Sequence, residues 1–557
     1  MESSTSAFSA VKSPGPPPSP VDKLEEGGAL RRGGAPDLFS RRNVGLLAQH
    51  AALGVIRGTL QNAVYPFLFN YLRMSGVEVS SARALLRLIW TLKFFVGIVT
   101  DSVPIAGFHR RPYMLLGWAL AAVALTAMAL APLPSPYYPS AAWAKFKSFT
   151  PAQAAQLNRD APQDGVLYLV LMVLTSAGLM VAITAADGVL VDFAQREPEA
   201  TRGTTQTWTL VVMYLFAIVS ACLTGLGMNG PEYGGSFGAS LGFNTIMGVC
   251  AVVAVAMLPI SWLCIPEERV VSSASCCRQR LRRNAVALYE LLQSRVVYQI
   301  IAFRFLRNLF SQFGTTAETP VQSLWAGVEP LNASLANIGT YLMSCLGMMA
   351  VQRIGLQWSW HAVIATTQVL VVAIDAVPTM LTIWNVCRSQ WLWLGVPLLQ
   401  DVPSHAGGLV ASFVIVEIVE RGNEAAVYGL LSTVSNLSLP FSTMLYKTVD
   451  AAFDVSPADI ARDTTHVRTH VTYTYVIAYA VNLASIGFLV LLPRQKAETQ
   501  ELKRHGGASR AWGRFTLAYL VFAFAWSLLT NAMTFSAATS CLRIAGGSGC
   551  KKTQSRG

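Results

Sequence analysis

Apolar residues run along this chain in blocks of about twenty, separated by short polar connections, from Val44 almost to the C-terminus. About twenty apolar residues are what one helix needs to cross the hydrocarbon core of a bilayer. Twelve such blocks are predicted as helices at roughly 44–72, 84–104, 113–133, 166–191, 206–228, 241–265, 298–320, 333–354, 361–384, 391–416, 425–447 and 471–492. A thirteenth candidate runs from Phe515 to Phe535. The pattern predicts an all-α polytopic membrane protein. The first 40 or so residues hold a proline-rich run from Ser13 to Pro20 and scattered charges where a signal peptide would have an apolar segment, so 1–43 is expected to be a disordered cytoplasmic tail.

Charge sets the orientation. Arg31, Arg32, Arg41 and Arg42 precede the first block, Arg110 and Arg111 sit between the second and third, and Arg278, Arg280, Arg282 and Arg283 fall between the sixth and seventh. All lie on one side, which the positive-inside rule makes cytoplasmic, and Arg494, Lys496, Lys503 and Arg504 join them after the twelfth. The long basic connection at 266–297 divides the core into a six-helix bundle at 44–265 and a second at 298–493; residues 494–557 would hold a cytoplasmic segment, the thirteenth helix and a short tail. An internal echo supports two similar halves. Asp192, Arg196, Glu199 and Ala200 follow the fourth block, and Glu417, Arg421, Glu424 and Ala425 follow the tenth, each pair 225 residues apart.

Composition agrees: 53% of residues are hydrophobic and 13% charged, against about 25% charged in soluble domains. The net charge of +12 is dispersed between apolar blocks without a nucleic-acid motif, so no nucleic-acid partner is expected. Nine cysteines show neither metal-ligand spacing nor a disulfide framework; no metal or cofactor is expected. Cys276 and Cys277 offer a palmitoylation candidate, with unmodified thiols the plainer reading. A Walker loop, a zinc-binding His-Glu pair and a nucleophile elbow are all absent from the sequence, which argues against a pump or an embedded enzyme.

The most specific local signal is Gly97-Ile-Val-Thr-Asp101, then Pro104-Ile-Ala-Gly107-Phe-His-Arg110-Arg111-Pro112. A glycine lets two helices approach closely, and an aspartate beside two arginines can form a breakable charge latch. This loop resembles the signature of the major facilitator superfamily. Trp90-x-x-Lys93 upstream, the spacer 102–108, the stretch Ala186-Asp187-x-x-x-Val191-Asp192 with Glu197-Pro198 and Arg202-Gly203-x-x-Gln206, and Glu424-Ala-x-Val427-Tyr428 through Asn436 resemble the folate-biopterin transporter family in particular. The resemblance implies major-facilitator-like 6+6 bundles, here with an extra C-terminal hydrophobic helix, and transport of a folate, a pteridine or a related small organic solute. A different organic cargo, or a receptor that kept the fold, are the alternatives.

Ionisable residues inside apolar blocks need partners or a task, because a charge at the bilayer centre costs about 2.5–3.5 kcal/mol on insertion scales. Asp187 and Asp192 sit roughly 140° apart and about 7.5 Å along one helix, so Asp187 is assigned to a central cavity and Asp192 to gating, paired with Arg196 or Arg202. Lys93, two turns before Asp101, would face an anionic substrate or Asp187. Lys93, Asp187, Asp375 and Glu417 are the expected substrate or coupling residues; Gly97, Asp101, Arg110, Arg111, Asp192, Arg196, Arg202 and Arg421 the expected latch. Arg57, Arg304 and Arg307 are expected to reach an interface or a ligand. Asp187 could accept the amide edge of a pterin while Lys93 takes a carboxylate, and a desolvated Asp187 could carry a co-transported proton. Trp90, Phe94 and Phe95 are expected to pack against helices or lipid rather than to stack on substrate. The surface membrane is the default location.

Overall fold

The computed structural model describes residues 27–146, 149–270 and 277–533, with residues 539 and 542. The proline-rich run and Cys276 lie outside them. Sixteen helices carry the architecture: α1 Val44–Val64, α2 Gly76–Leu88, α3 Lys93–Ser102, α4 Arg111–Leu130, α5 Ala161–Arg196, α6 Thr204–Gly227, α7 Phe243–Leu263, α8 Cys277–Gln293, α9 Arg295–Ser311, α10 Pro330–Ala350, α11 Trp360–Ile383, α12 Pro397–Ile418, α13 Glu424–Asp450, α14 Thr465–Ala484, α15 Lys496–His505 and α16 Arg510–Met533.

Among the described residues, nine helical stretches are long and apolar enough to cross a membrane. The other four expected spans correspond to helices that are shorter, interrupted or more polar. These are α1 with Gln49, His50 and Arg57, the α2–α3 pair, the 17-residue α9 with Arg304 and Arg307, and α13 with Glu424, Lys447 and Asp450. The second expected span is broken. A Ser75–Glu78 capping box starts α2 at Gly76, and a tight turn over Ile89–Leu92 separates it from α3. Two expected ends move as well. The seventh span stops at Ser311, ahead of Gly314, whereas α5 runs 36 residues, about 54 Å at 1.5 Å per residue, and so carries Asp192 and Arg196 beyond the apolar core.

Within the first half α1 packs on α6, and α4 on both α5 and α7; within the second, α12 packs on α10 and α11, and α9 on α13. The halves meet along α3–α13 and α6–α10. Small residues permit the tightest crossings. A Cβ on Gly117 would stand 2.5 Å from the Gly178 carbonyl oxygen between α4 and α5, and one on Gly97 would stand 2.5 Å from that of Ala425 between α3 and α13. The thirteenth hydrophobic segment is α16, which lies along α8, α13 and α2, with Trp526 stacked on Phe441 and Phe524 edge-on to Phe95.

Residues 27–43, read from sequence as part of a disordered tail, are held against the arginine-rich end. The backbone N–H groups of Leu30 and Arg31 donate to the Gln195 carbonyl at 2.9 and 3.0 Å, and Leu38 is buried. The orphan carbonyls at the end of α5 supply the binding edge.

Candidate transport site and its ionic network

Three buried ionisable side chains from three helices meet inside the first half. Lys93 opens α3 immediately after the break in the second span, and its ammonium pairs with Asp187 of α5. His50 of α1 places Nε2 4.0 Å from the other oxygen of Asp187. His50 Nδ1 lies 3.0 Å from the Leu46 carbonyl, which fixes the proton on Nδ1 in the neutral ring and leaves Nε2 as an acceptor facing the carboxylate. The Tyr428 ring of α13 lies under the Lys93 ammonium at 5.3 Å.

About 12 Å further along α3, eight residues at 1.5 Å each, the chain's charges form a continuous network. Asp101 accepts Arg110 Nη1 at 2.6 Å and the backbone N–H of Ala426 at 2.8 Å. A carboxylate of one half thereby caps the first turn of a helix of the other, where the helix dipole favours it. Arg110 reaches Glu424 at 3.0 Å, Glu424 reaches Arg31 at 2.5 Å, Arg31 reaches Asp192 at 2.7 Å, and Asp192 closes on Arg196 at 2.5 Å. Gly188 leaves room for this, because a Cβ there would meet the Arg110 guanidinium carbon at 2.5 Å.

Beside the network, Arg202 Nη1 donates to both carboxylate oxygens of Glu417, at 2.8 and 2.9 Å, both side chains almost fully buried. Gln500 of α15 donates to the same carboxylate at 2.6 Å, and Lys496 donates to the Glu199 carbonyl at 2.8 Å. Gln195 ties the end of α5 to the Val416 and Val419 carbonyls at 2.8 and 2.9 Å. Burial pushes the Glu197 carboxyl up, against the N–H groups of Gly203, Thr204 and Thr205 that it caps at the start of α6.

Toward the opposite end, a cavity of about 610 Å³ is lined by Arg57, Arg83, Arg87, Lys447, Trp90, Gln61, Gln312 and Asn436, and by Ser527, Thr530 and Asn531 of α16. Among the described residues no carboxylate lines it. The Arg57 guanidinium stands 4.4 Å above the Trp90 ring. A larger cavity, about 910 Å³, lies instead between α9 and α16 and is lined mainly by apolar and aromatic side chains; none of the site residues above touches it.

The expected residues therefore separate. Lys93 and Asp187 meet. Asp192 pairs with Arg196 and Arg31 but not with Arg202, which takes Glu417, so Glu417 lies at the arginine-rich end and away from Lys93. Asp375 lies in a separate polar cavity of about 410 Å³ inside the second half with Arg307, Gln368 and Gln400, and accepts the Tyr479 hydroxyl at 2.7 Å. Arg111 donates to the Ile265 carbonyl at 2.5 and 2.8 Å rather than to Asp101, and Arg421 is exposed. Arg304 is tied to the Leu431 and Ala411 carbonyls at 3.2 Å and to Ser435 at 2.9 Å, a brace between helices. Trp90 lines the basic cavity, whereas Phe95 turns to α16. Sequence reasoning missed His50, Arg31 and Glu267, whose carboxylate accepts the N–H groups of His109, Arg110 and Arg111 at 2.5–3.0 Å. A carboxylate a long way off in sequence that holds a loop's amides leaves no local signal.

Residues 53–148 match the model of the BT1 family. The chain is similar to the folate-biopterin transporter of Synechocystis sp., 22% identical over 401 residues that cover 71% of each chain. It is also similar to the probable folate-biopterin transporter 2 of Arabidopsis thaliana, 42% identical over 53 residues, 10% of this chain and 11% of that one. Among solved structures, the proton:xylose symporter XylE bound to 6-bromo-6-deoxy-D-glucose aligns with a TM-score of 0.54 at 11% identity, covering 83% of this chain and 97% of that one. A D-xylose-proton symporter aligns at 0.51 and 11%, over 81% and 97%. At that identity the structural likeness establishes the fold, and the sequence relatives carry the resemblance read from the motifs. The chain is a multi-pass membrane protein with the major facilitator fold, and its sequence is similar to those of folate-biopterin transporters.

Proposed function

We propose that this chain is a secondary transporter that moves a folate, a pteridine or a related small organic solute by alternating access, with Asp187 carrying a coupled proton. The observation that carries the reading is the vertical order of the charges: a basic cavity toward one end, the Lys93–Asp187–His50 cluster beneath it, and a balanced ionic network sealing the other end between the two halves. A rigid receptor has no physical requirement for a seal made of breakable pairs across the half-to-half interface, whereas a carrier that rocks about a midplane site does.

Arg57, Arg83 and Arg87 attract a carboxylate-bearing solute into the cavity. When a substrate carboxylate reaches Lys93, it competes with Asp187 for the ammonium. Asp187, released in a water-poor site, then takes up a proton, and its neutral form no longer holds Lys93 against α5. His50 Nε2 is the neighbouring base through which that proton can pass. The names of the sequence relatives favour folates and pterins as cargo, and the basic cavity is compatible with the glutamate end of a folate.

The test is uptake of labelled folate and biopterin by cells expressing the wild type or Asp187→Asn at matched surface levels, with external pH varied. Uptake that follows the pH gradient in the wild type and is lost or made pH-independent in Asp187→Asn supports substrate and coupling together. Uptake indifferent to both the gradient and the substitution overturns the coupling role; no uptake of either compound by correctly inserted protein overturns the cargo.

A further inference from the structure

We propose that Asp454, His466 and His470 form a binding site for one borderline-soft dication of the zinc class, at the end of the molecule opposite the ionic network. His466 and His470 stand one turn apart on α14, so their rings share one face of the helix; their centroids are 4.0 Å apart. The turn after α13 brings Asp454 Oδ2 to 3.1 Å from His466 Nε2 and 3.5 Å from His470 Nδ1. Donor atoms of all three residues lie within 4.8 Å of one another.

Zinc takes imidazole nitrogen and carboxylate oxygen at about 2.0–2.2 Å in tetrahedral geometry, which sets neighbouring donors roughly 3.3–3.6 Å apart. The two Asp454 separations already lie close to that edge length. Two imidazoles with one carboxylate make a three-ligand set with a fourth position open to water. The same set is poor for calcium or magnesium, which require several oxygen donors. His466 and Asp454 are about two-thirds exposed, so an ion has a direct path to them.

The helix that presents the histidines is held in place. Asp463, just ahead of α14, takes paired contacts from Arg388 at 2.6 and 2.8 Å and from Arg468 at 2.9 and 3.0 Å. One local adjustment is required. His470 Nδ1 accepts the Asp454 backbone N–H at 3.0 Å, so that N–H must be released, or the ring turned to offer Nε2, when an ion binds. His466 and His470 form an i, i+4 pair within α14, but the third ligand, Asp454, comes from the turn twelve residues ahead of His466, and only the fold brings it to the pair.

The test uses the full chain, purified in detergent, stripped with chelator and dialysed against micromolar Zn²⁺, with metal counted per chain. The expected result is one zinc fewer per chain in the His466→Ala/His470→Ala double variant than in the wild type. Equal zinc in both overturns the site. Should the double variant fail to fold, Co²⁺ absorption of the wild type against the exposed-site variant His466→Gln decides: a visible ligand-field band that the substitution removes supports the site, and a spectrum it leaves unchanged overturns it.

Discussion

Lys93 and Asp187 form a buried pair in which each charge is compensated by the other. Removing one partner from a buried pair leaves an uncompensated charge and costs about 3–5 kcal/mol, whereas replacing both with apolar side chains is often neutral. Lys93→Met is therefore expected to lower thermal stability markedly, and Lys93→Met/Asp187→Leu to recover most of the loss while remaining inactive in uptake. A melting temperature as low in the double variant as in the single one would mean that the pair is not an isolated unit. Both residues were legible in sequence because a charge in an apolar block is conspicuous. His50 was not, since a single histidine in a first span is compatible with ordinary packing, and its role depends on a distance to another helix. Glu417 illustrates the opposite limit: its sequence places it with the substrate residues, whereas its partner, Arg202, and its place at the arginine-rich end are set by how the two halves meet.

At the scale of helices, nine of the thirteen expected spans are long, apolar helices among the described residues, and polar residues and local interruptions mark the other four. The break at Ile89–Leu92 matters most, because it sets Lys93 at the start of a new helix and aims it at Asp187. The short α15 had no apolar periodicity to announce it, yet it closes over the arginine-rich end through Lys496 and Gln500. Burial holds the Lys496 ammonium down to about 8, against the pull of Glu417. Its folded value lies below the ordinary one of about 10.4, so between those values the unfolded chain binds the extra proton and stability rises with pH. Burial lowers Lys503 in the same direction. Thermal stability is thus expected to climb from about pH 8 to about pH 10.4, and Lys496→Met to flatten that climb. An unchanged slope in the variant would show that the cost of charging α15 arises elsewhere.

In the whole molecule, the segment before α1 adds a third link between the two halves, beside the α3–α13 and α6–α10 contacts. Arg31 is the link between Glu424 of the second half and Asp192 of the first, so the network is continuous only while residues 27–43 stay docked. Nothing in the composition of that segment distinguished it from a solvated tail; its order comes from the carbonyl-rich end of α5 and two carboxylates far apart in sequence. If the network is the closed gate of an alternating carrier, Arg31→Ala leaves Glu424 with Arg110 alone and Asp192 with Arg196 alone, and the seal across the halves is reduced to the Asp101–Arg110–Glu424 side and the Arg202–Glu417 pair. The conformational equilibrium then shifts toward opening at the arginine-rich end. Val427, 1% exposed in the first turn of α13, reports on this when replaced by cysteine and treated with an impermeant thiol reagent from that end. Labelling is expected to be several-fold faster in Arg31→Ala than in the Val427→Cys parent, and slower again when Arg31→Lys restores a cation. Equal rates in all three would place the closing energy in the α3–α13 contact at Gly97 instead, and leave the docked segment as a cover without a hold on the gate.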